Sequence, residues 1–136
     1  MEKVIIIGAS SGIGRELAIV FASYDYEAGI TSRRIELLND LASTLPTKTY
    51  IRKMDVCDTD SAVEILTELL VEMVDVDIII LNSGIGHLNP TLHWSKEKET
   101  IDTNVSGFTA LAGHSMNYFT QRKAGHLVGI SSIASI

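Results

Sequence analysis

The chain is short of cysteine, of metal-spaced histidine, of basic charge and of long apolar stretches, and each shortage removes a class of function. A single cysteine, Cys57, cannot form an internal disulfide, leaves no Cys-rich zinc site and fits a reducing compartment. His87, His93, His114 and His126 show no His-x-x-x-His spacing, so no metal site is expected. Lys and Arg number 11 against 17 Asp and Glu, a net charge of −6, which gives no basic stripe for nucleic acid. An anionic ligand would therefore need a local pocket of donors to offset the overall field. No apolar run approaches the ~20 residues of a membrane span. Val4 to Ile7, the apolar stretch nearest the start, is too short for the core of a secretory signal. A cytoplasmic protein without membrane or nucleic-acid contact is expected.

What remains is ordinary globular material. Over 136 residues, 46% are hydrophobic and 21% charged, enough for one domain with a real core spanning residues 1–136. Val4 to Ile7 is a continuous β-branched run of the kind buried on both faces of a parallel sheet. Ile13, Leu17, Val20 and Phe21 then recur at helical spacing, predicting a helix that ends near Ser23. The alternation repeats. Ala28 to Thr31 reads as a strand, and Ile35, Leu38, Leu41 and Leu45 as a helix broken by Pro46. Tyr50 to Met54 reads as a strand interrupted by charge. Asp58 or Thr59 caps a helix carrying Val63, Leu66, Leu69, Leu70 and Met73. Val76 to Leu81 is a strand, Ser95 caps a long helix from about Lys96 to Gln121, and His126 to Ile130 is a fifth strand. Five strands alternating with four helices predict an α/β fold: a three-layer, doubly wound, Rossmann-type parallel sheet, cut short after its fifth strand.

The glycine loop between the first strand and first helix carries the chemistry. A helix N-terminus presents unpaired N–H groups and partial positive charge, and a pyrophosphate settles there only if the backbone turns tightly and comes close. Gly8 makes the turn, Gly12 permits the approach and Gly14 lets the helix pack on the strand. Ser10 and Ser11 add hydroxyls, and Ile13 opens the helix. The spacing is Gly-x-x-x-Gly-x-Gly.

Gly8-Ala9-Ser10-Ser11-Gly12-Ile13-Gly14 after an N-terminal strand resembles the classical short-chain dehydrogenase/reductase family, and four further segments fall in that family's order. Asp55-Val56 stands where the family's Asp contacts adenine, although a turn or helix cap is the plainer role for Asp55. Asn82-Ser83-Gly84 resembles the family's Asn-Asn-Ala-Gly. Leu81 replaces its first Asn, so the sheet-bracing role is expected to be missing while a ribose-side contact at Asn82 survives. Asn104 in Asn104-Val105-Ser106-Gly107 matches the helix Asn that holds a proton-relay water, or is simply a solvated helix residue. Gly129-Ile130-Ser131-Ser132 matches the strand bearing the catalytic Ser, here Ser132, with a loop role as the alternative. Gly86, His87 and Leu88 lie in a loop that faces either a substrate or only solvent. The resemblance implies hydride transfer between a nicotinamide and a carbonyl or alcohol, with Asn104 and Ser132 as catalytic members.

Cofactor choice follows from what the second strand delivers. An acid there would select NAD through its ribose 2′-hydroxyl. Thr31-Ser32-Arg33-Arg34 offers no acid and two guanidinium groups, which suits the 2′-phosphate of NADP better than NAD, with Arg33 ahead of Ser32 and Arg34 and solvated charges opening a helix as the alternative role of the arginines. The family's Tyr-x-x-x-Lys is absent: Tyr24, Tyr26, Tyr50 and Tyr118 are followed four residues on by Ala28, Ile30, Met54 and Arg122. Tyr118 reads as structural. The expectation is therefore an NADP-dependent oxidoreductase whose Tyr–Lys pair lies beyond residue 136. The alternative is a catalytically incomplete nucleotide-binding or regulatory module. A methyltransferase would share the glycine loop but leave Asn104 and Ser132 unexplained. A bare fifth strand invites a partner. The family's use of the long helix in subunit contacts makes a homo-oligomer an expectation, with core burial of Phe108, Leu111, Ala112, Met116 and Phe119 as the competing account.

Overall fold

The computed structural model describes residues 1–85 and 89–131. Strands β1 (Lys3–Ile7), β2 (Glu27–Ser32), β3 (Thr49–Lys53), β4 (Ile78–Leu81) and β5 (His126–Gly129) form one sheet in the order β3-β2-β1-β4-β5. Every pairing is parallel, with Val4 opposite Ala28 on one side and Ile78 on the other. Helices α1 (Gly12–Ser23), α2 (Ile35–Thr44), α3 (Thr59–Met73), α4 (Trp94–Ile101) and α5 (Phe108–Arg122) connect them, with a π-helical segment, Asp102–Gly107, joining α4 to α5.

The unbroken apolar run of β1 is explained by cover on both faces. Side chains alternate along a strand. Val4 and Ile6 pack with Ala18 of α1, Leu38 and Leu41 of α2, and Ile80. Ile5 and Ile7 pack with Leu66, Leu69 and Met73 of α3, and Leu111 of α5. The result is the three-layer architecture that the alternating pattern predicts. Leaving β3, the chain returns to the far side of β1, so the strand order reverses between β1 and β4. The connections at their carboxyl ends then diverge and open a crevice.

Most boundaries shift by a residue, as at Met54 and Ile130, which fall outside β3 and β5, and three differences from expectation matter more. The long helix starts at Trp94, and Ser95 lies inside its first turn. His93 is the N-cap and makes no side-chain cap bond; Asn89 instead buttresses this start, its Oδ1 accepting from the His93 amide at 3.0 Å and its Nδ2 donating to Glu97 at 2.9 Å. That helix is also not uniform. It widens to π geometry at Asp102–Gly107, where Gly107 lies so close to α3's approach that a Cβ would stand 2.5 Å from the Val56 carbonyl. Finally, Val76 does not join β4: its amide donates to the Tyr118 hydroxyl at 3.0 Å and its carbonyl accepts from Arg122, so side chains replace the ladder.

Other signals read true. Asp58 caps α3, accepting from the Ser61 amide at 3.3 Å. Pro46 does end α2, but Leu45 before it, read as a helix residue, is its extended C-cap. Along α5, Leu111 and Phe119 are buried in the core and Met116 is exposed, so core packing accounts for only part of that apolar set. Among the described residues, no helix is long and apolar enough to cross a membrane.

Candidate functional site

The crevice is built by three loops at the carboxyl end of the sheet. The first leaves β1 at Gly8, whose φ of +90° is the left-handed region that favours glycine. The amides of Gly8 and Ala9 both donate to the Thr31 carbonyl at 3.0 Å, tying this loop to the end of β2. On the other side, a Cβ on Gly8 would sit 2.9 Å from the Ser83 amide. Gly14 packs α1 against the turn, since a Cβ there would meet the Gly8 carbonyl oxygen at 2.0 Å. Gly12 is different: its φ is +57° and nothing lies within 4 Å of where a Cβ would be, which keeps the approach open. Ser11 occupies the N-cap of α1 without a side-chain cap bond, and the first turn carries no acid. The positive end of α1 thus faces the crevice without an internal anion to neutralise it.

The second loop follows β2. Ser32 Oγ accepts from the Arg34 amide at 3.1 Å, and Arg34 Nη2 donates to Ser10 Oγ at 3.2 Å and Ser11 Oγ at 3.3 Å. Arg33 is exposed on the same wall. Asp55, after β3, accepts from the Cys57 amide through Oδ1 at 3.0 Å, which is the plain turn role, and also lines the crevice with Val56.

The third loop corrects an expectation. Leu81 is buried in the core, 2% exposed, but sheet bracing is not lost. Asn82 supplies it: its Nδ2 donates to the Gly8 carbonyl at 2.9 Å while its amide donates to the Ile7 carbonyl at 2.9 Å. The Asn is one position later than expected and still joins the two strands flanking the switch point. Beyond it, Ser83, Gly84 and Ile85 form the floor, and Ile85 is held by Asn104. Together these loops enclose about 510 Å³.

The sequence matches the family described as short chain dehydrogenase across residues 2–136. The chain belongs to that family. An uncharacterised oxidoreductase of Mycobacterium tuberculosis is 32% identical over 99% of this chain and 56% of its own length. The NADP-dependent 3-hydroxy acid dehydrogenase YdfG of Escherichia coli is 29% identical over 96% of this chain and 54% of its own length. Among solved structures, the closed form of a serine dehydrogenase complexed with NADP+ superposes with a TM-score of 0.88 at 27% identity, covering 98% of this chain and 55% of that one. The chain spans about half the length of the curated relatives it matches.

In this member of the family, the positions singled out from sequence largely converge. Gly8, Ser10, Ser11, Gly12, Ile13, Ser32, Arg33, Arg34, Asp55, Val56, Asn82, Ser83 and Gly84 all line one crevice. Gly14 stands behind the lining, and Asn104 reaches the crevice through Ile85. Ser132 and the loop of Gly86, His87 and Leu88 lie outside the described residues. Tyr118 sits at the opposite end of the sheet, bonded to the amide of Val76.

Sequence reasoning missed Ile7, Thr31, Met54, Ile85 and Thr103, which also line the crevice. All but Ile85 immediately precede a named residue or loop, so strand and helix geometry brings them along. Thr31 Oγ1 donates to Met54 Sδ at 3.8 Å beneath the crevice wall, and Thr103 Oγ1 lies 2.9 Å from Cys57 Sγ. One turn before Thr103, Lys98 is held above its ordinary pKa, first by its hydrogen bond to Asp102 and then by the charge of that carboxylate.

Proposed function

We propose that this chain forms the NADP(H)-binding part of an oxidoreductase that moves hydride between a nicotinamide and a carbonyl/alcohol pair. The observation that carries this reading is the wall after β2, where Arg33 and Arg34 face the crevice and, among the described residues, no carboxylate stands between them and the glycine loop. A charge-assisted hydrogen bond contributes roughly 1.5–3 kcal/mol, about 10- to 100-fold in favour of a 2′-phosphorylated nucleotide per good contact. The NADP dependence of YdfG and the NADP+ complex of the serine dehydrogenase support the same cofactor.

The residues fit a dinucleotide. The open side of Gly12 and the uncapped first turn of α1 suit its pyrophosphate. In this reading Ser32, Arg33 and Arg34 hold the 2′-phosphate, Asp55 and Val56 the adenine, and the backbone of Asn82-Ser83-Gly84 the ribose. When bound, the nicotinamide cofactor supplies or accepts the hydride. Asn104 holds a relay water and Ser132 orients the substrate carbonyl. A Tyr–Lys pair after residue 136 moves the proton, the lysine cation lowering the phenol's pKa so that it acts near neutral pH. Residues 1–136 belong to one dinucleotide-binding domain of a cytoplasmic protein. The exposed stripe of Ile101, Val105 and Met116 along the long helix suits a homo-oligomer.

Titration with NADPH and NADH, followed by nicotinamide fluorescence, tests the cofactor assignment. Saturable enhancement with NADPH at an affinity at least about tenfold above NADH is expected. Equal affinities would remove the NADP(H) assignment.

A further inference from the structure

The two arginines after β2 are not equivalent in their surroundings. Arg33 extends along the crevice wall, and among the described residues its side chain makes no hydrogen bond or ion pair. Arg34 is anchored at both ends. Its backbone amide is bonded to Ser32 Oγ, and its Nη2 spends two hydrogens on Ser10 Oγ and Ser11 Oγ. Among the described residues these two bonds are the only hydrogen bonds of the two serine side chains. Neither hydroxyl is needed to hold the loops together, since the Gly8 and Ala9 amides already tie the glycine loop to Thr31. Nor does Ser11 cap α1.

The geometry has two physical consequences. An exposed arginine carries large rotamer entropy, and fixing it before a ligand arrives removes much of its ordering cost from binding. The Nη1 and Nε edges of the guanidinium remain to meet an anion, and a planar fork suits a phosphate.

We propose that Ser10 and Ser11 are specificity-determining positioning residues that act through Arg34, holding its guanidinium where a nucleotide 2′-phosphate binds. This rests on the NADP(H) reading above. The serines set nucleotide preference by organising the arginine, while the backbone amides of the same loop bind the pyrophosphate common to both nucleotides.

The test is a double-mutant cycle read by fluorescence titration with NADPH and NADH. Ser10→Ala with Ser11→Ala is expected to weaken NADPH about three- to tenfold and to leave NADH within about twofold. In an Arg34→Ala background the same pair of changes should add nothing. Ser10→Thr with Ser11→Thr, which keeps both hydroxyls, should restore NADPH affinity. Equal losses for both nucleotides would overturn the proposal in favour of a pyrophosphate role. Additive losses with Arg34→Ala would overturn it in favour of direct, independent contacts. If the serine-to-alanine protein does not fold, Arg34→Lys keeps the charge but cannot bridge two hydroxyls from one planar nitrogen. Selective loss of NADPH affinity is then expected, and unchanged NADPH affinity would overturn the proposal. An unaltered protein without NADPH preference would overturn the underlying reading together with this one, whereas preserved preference with additive losses removes only this one.

Discussion

Asn104 holds both polar groups of the Ile85 backbone: its Oδ1 accepts from the Ile85 amide at 2.9 Å and its Nδ2 donates to the Ile85 carbonyl at 2.7 Å. Asn104 lies within the π-helical segment, and its side chain reaches the loop that leaves β4. Asn104→Ala should therefore release Ile85. We expect the Ile85 amide to lose hydrogen-exchange protection and the protein to lose about 1 kcal/mol of stability. Asn104→Asp, which keeps the acceptor but not the donor, should retain protection at that amide. Protection unchanged in Asn104→Ala would mean the loop is held by something else.

Two glycines on helices should respond to alanine in opposite directions. Gly14 faces the Gly8 carbonyl oxygen at 2.0 Å and Asn82 Nδ2 at 2.6 Å from a would-be Cβ, neither of which can give way without moving the turn. Gly14→Ala should cost about 3 kcal/mol or more in urea unfolding. Gly113, in the exposed face of α5, has nothing within 4 Å of a would-be Cβ. Gly113→Ala should raise stability by about 0.5–1 kcal/mol.

Arg33 stands on the crevice wall, exposed and positioned after the strand that selects the ribose substituent. Arg33→Ala should weaken NADPH about tenfold and leave NADH nearly unchanged, as measured by fluorescence titration. Equal losses for the two nucleotides would assign Arg33 to some other part of the ligand or to the fold.

Tyr118 is remote from the crevice, and its hydroxyl accepts from the Val76 amide at 3.0 Å. Tyr118→Phe leaves a half-buried N–H without that acceptor. A loss of about 1–2 kcal/mol in thermal or urea unfolding is expected, with NADPH affinity unchanged. A selective change in nucleotide binding would contradict a purely structural role.

Much of the fold was legible because its signals are local. Buried parallel strands require unbroken apolar runs, so Val4 to Ile7 reads directly. Helix starts and stops written in adjacent residues, such as Asp58 and Pro46, also read directly. Where the deciding partner lies far along the chain, the reading failed. Val76 looks like strand until Tyr118 and Arg122 take its backbone groups from over forty residues away. Ser95 looks like a cap until Asn89 reaches forward from the preceding loop to His93 and Glu97. Asn104 was singled out, but nothing in its neighbours shows that the helix changes pitch around it.

By itself, the sequence determined the alternation of strand and helix, the glycine loop, and the presence of two arginines and no acid after the second strand. Those are properties of residue type and short spacing, which act before any long-range contact forms. The tertiary structure decided what each residue faces. It put Asn82 on the Gly8 carbonyl, so bracing survives without an Asn at position 81. It also separated Arg34, tied to two serines across the crevice, from Arg33, which has no such tie. The physical reason is parallel pairing: β1 lies between β2 and β4, so the loops leaving all three meet at one end of the sheet and segments more than twenty residues apart come within hydrogen-bonding distance around a single crevice.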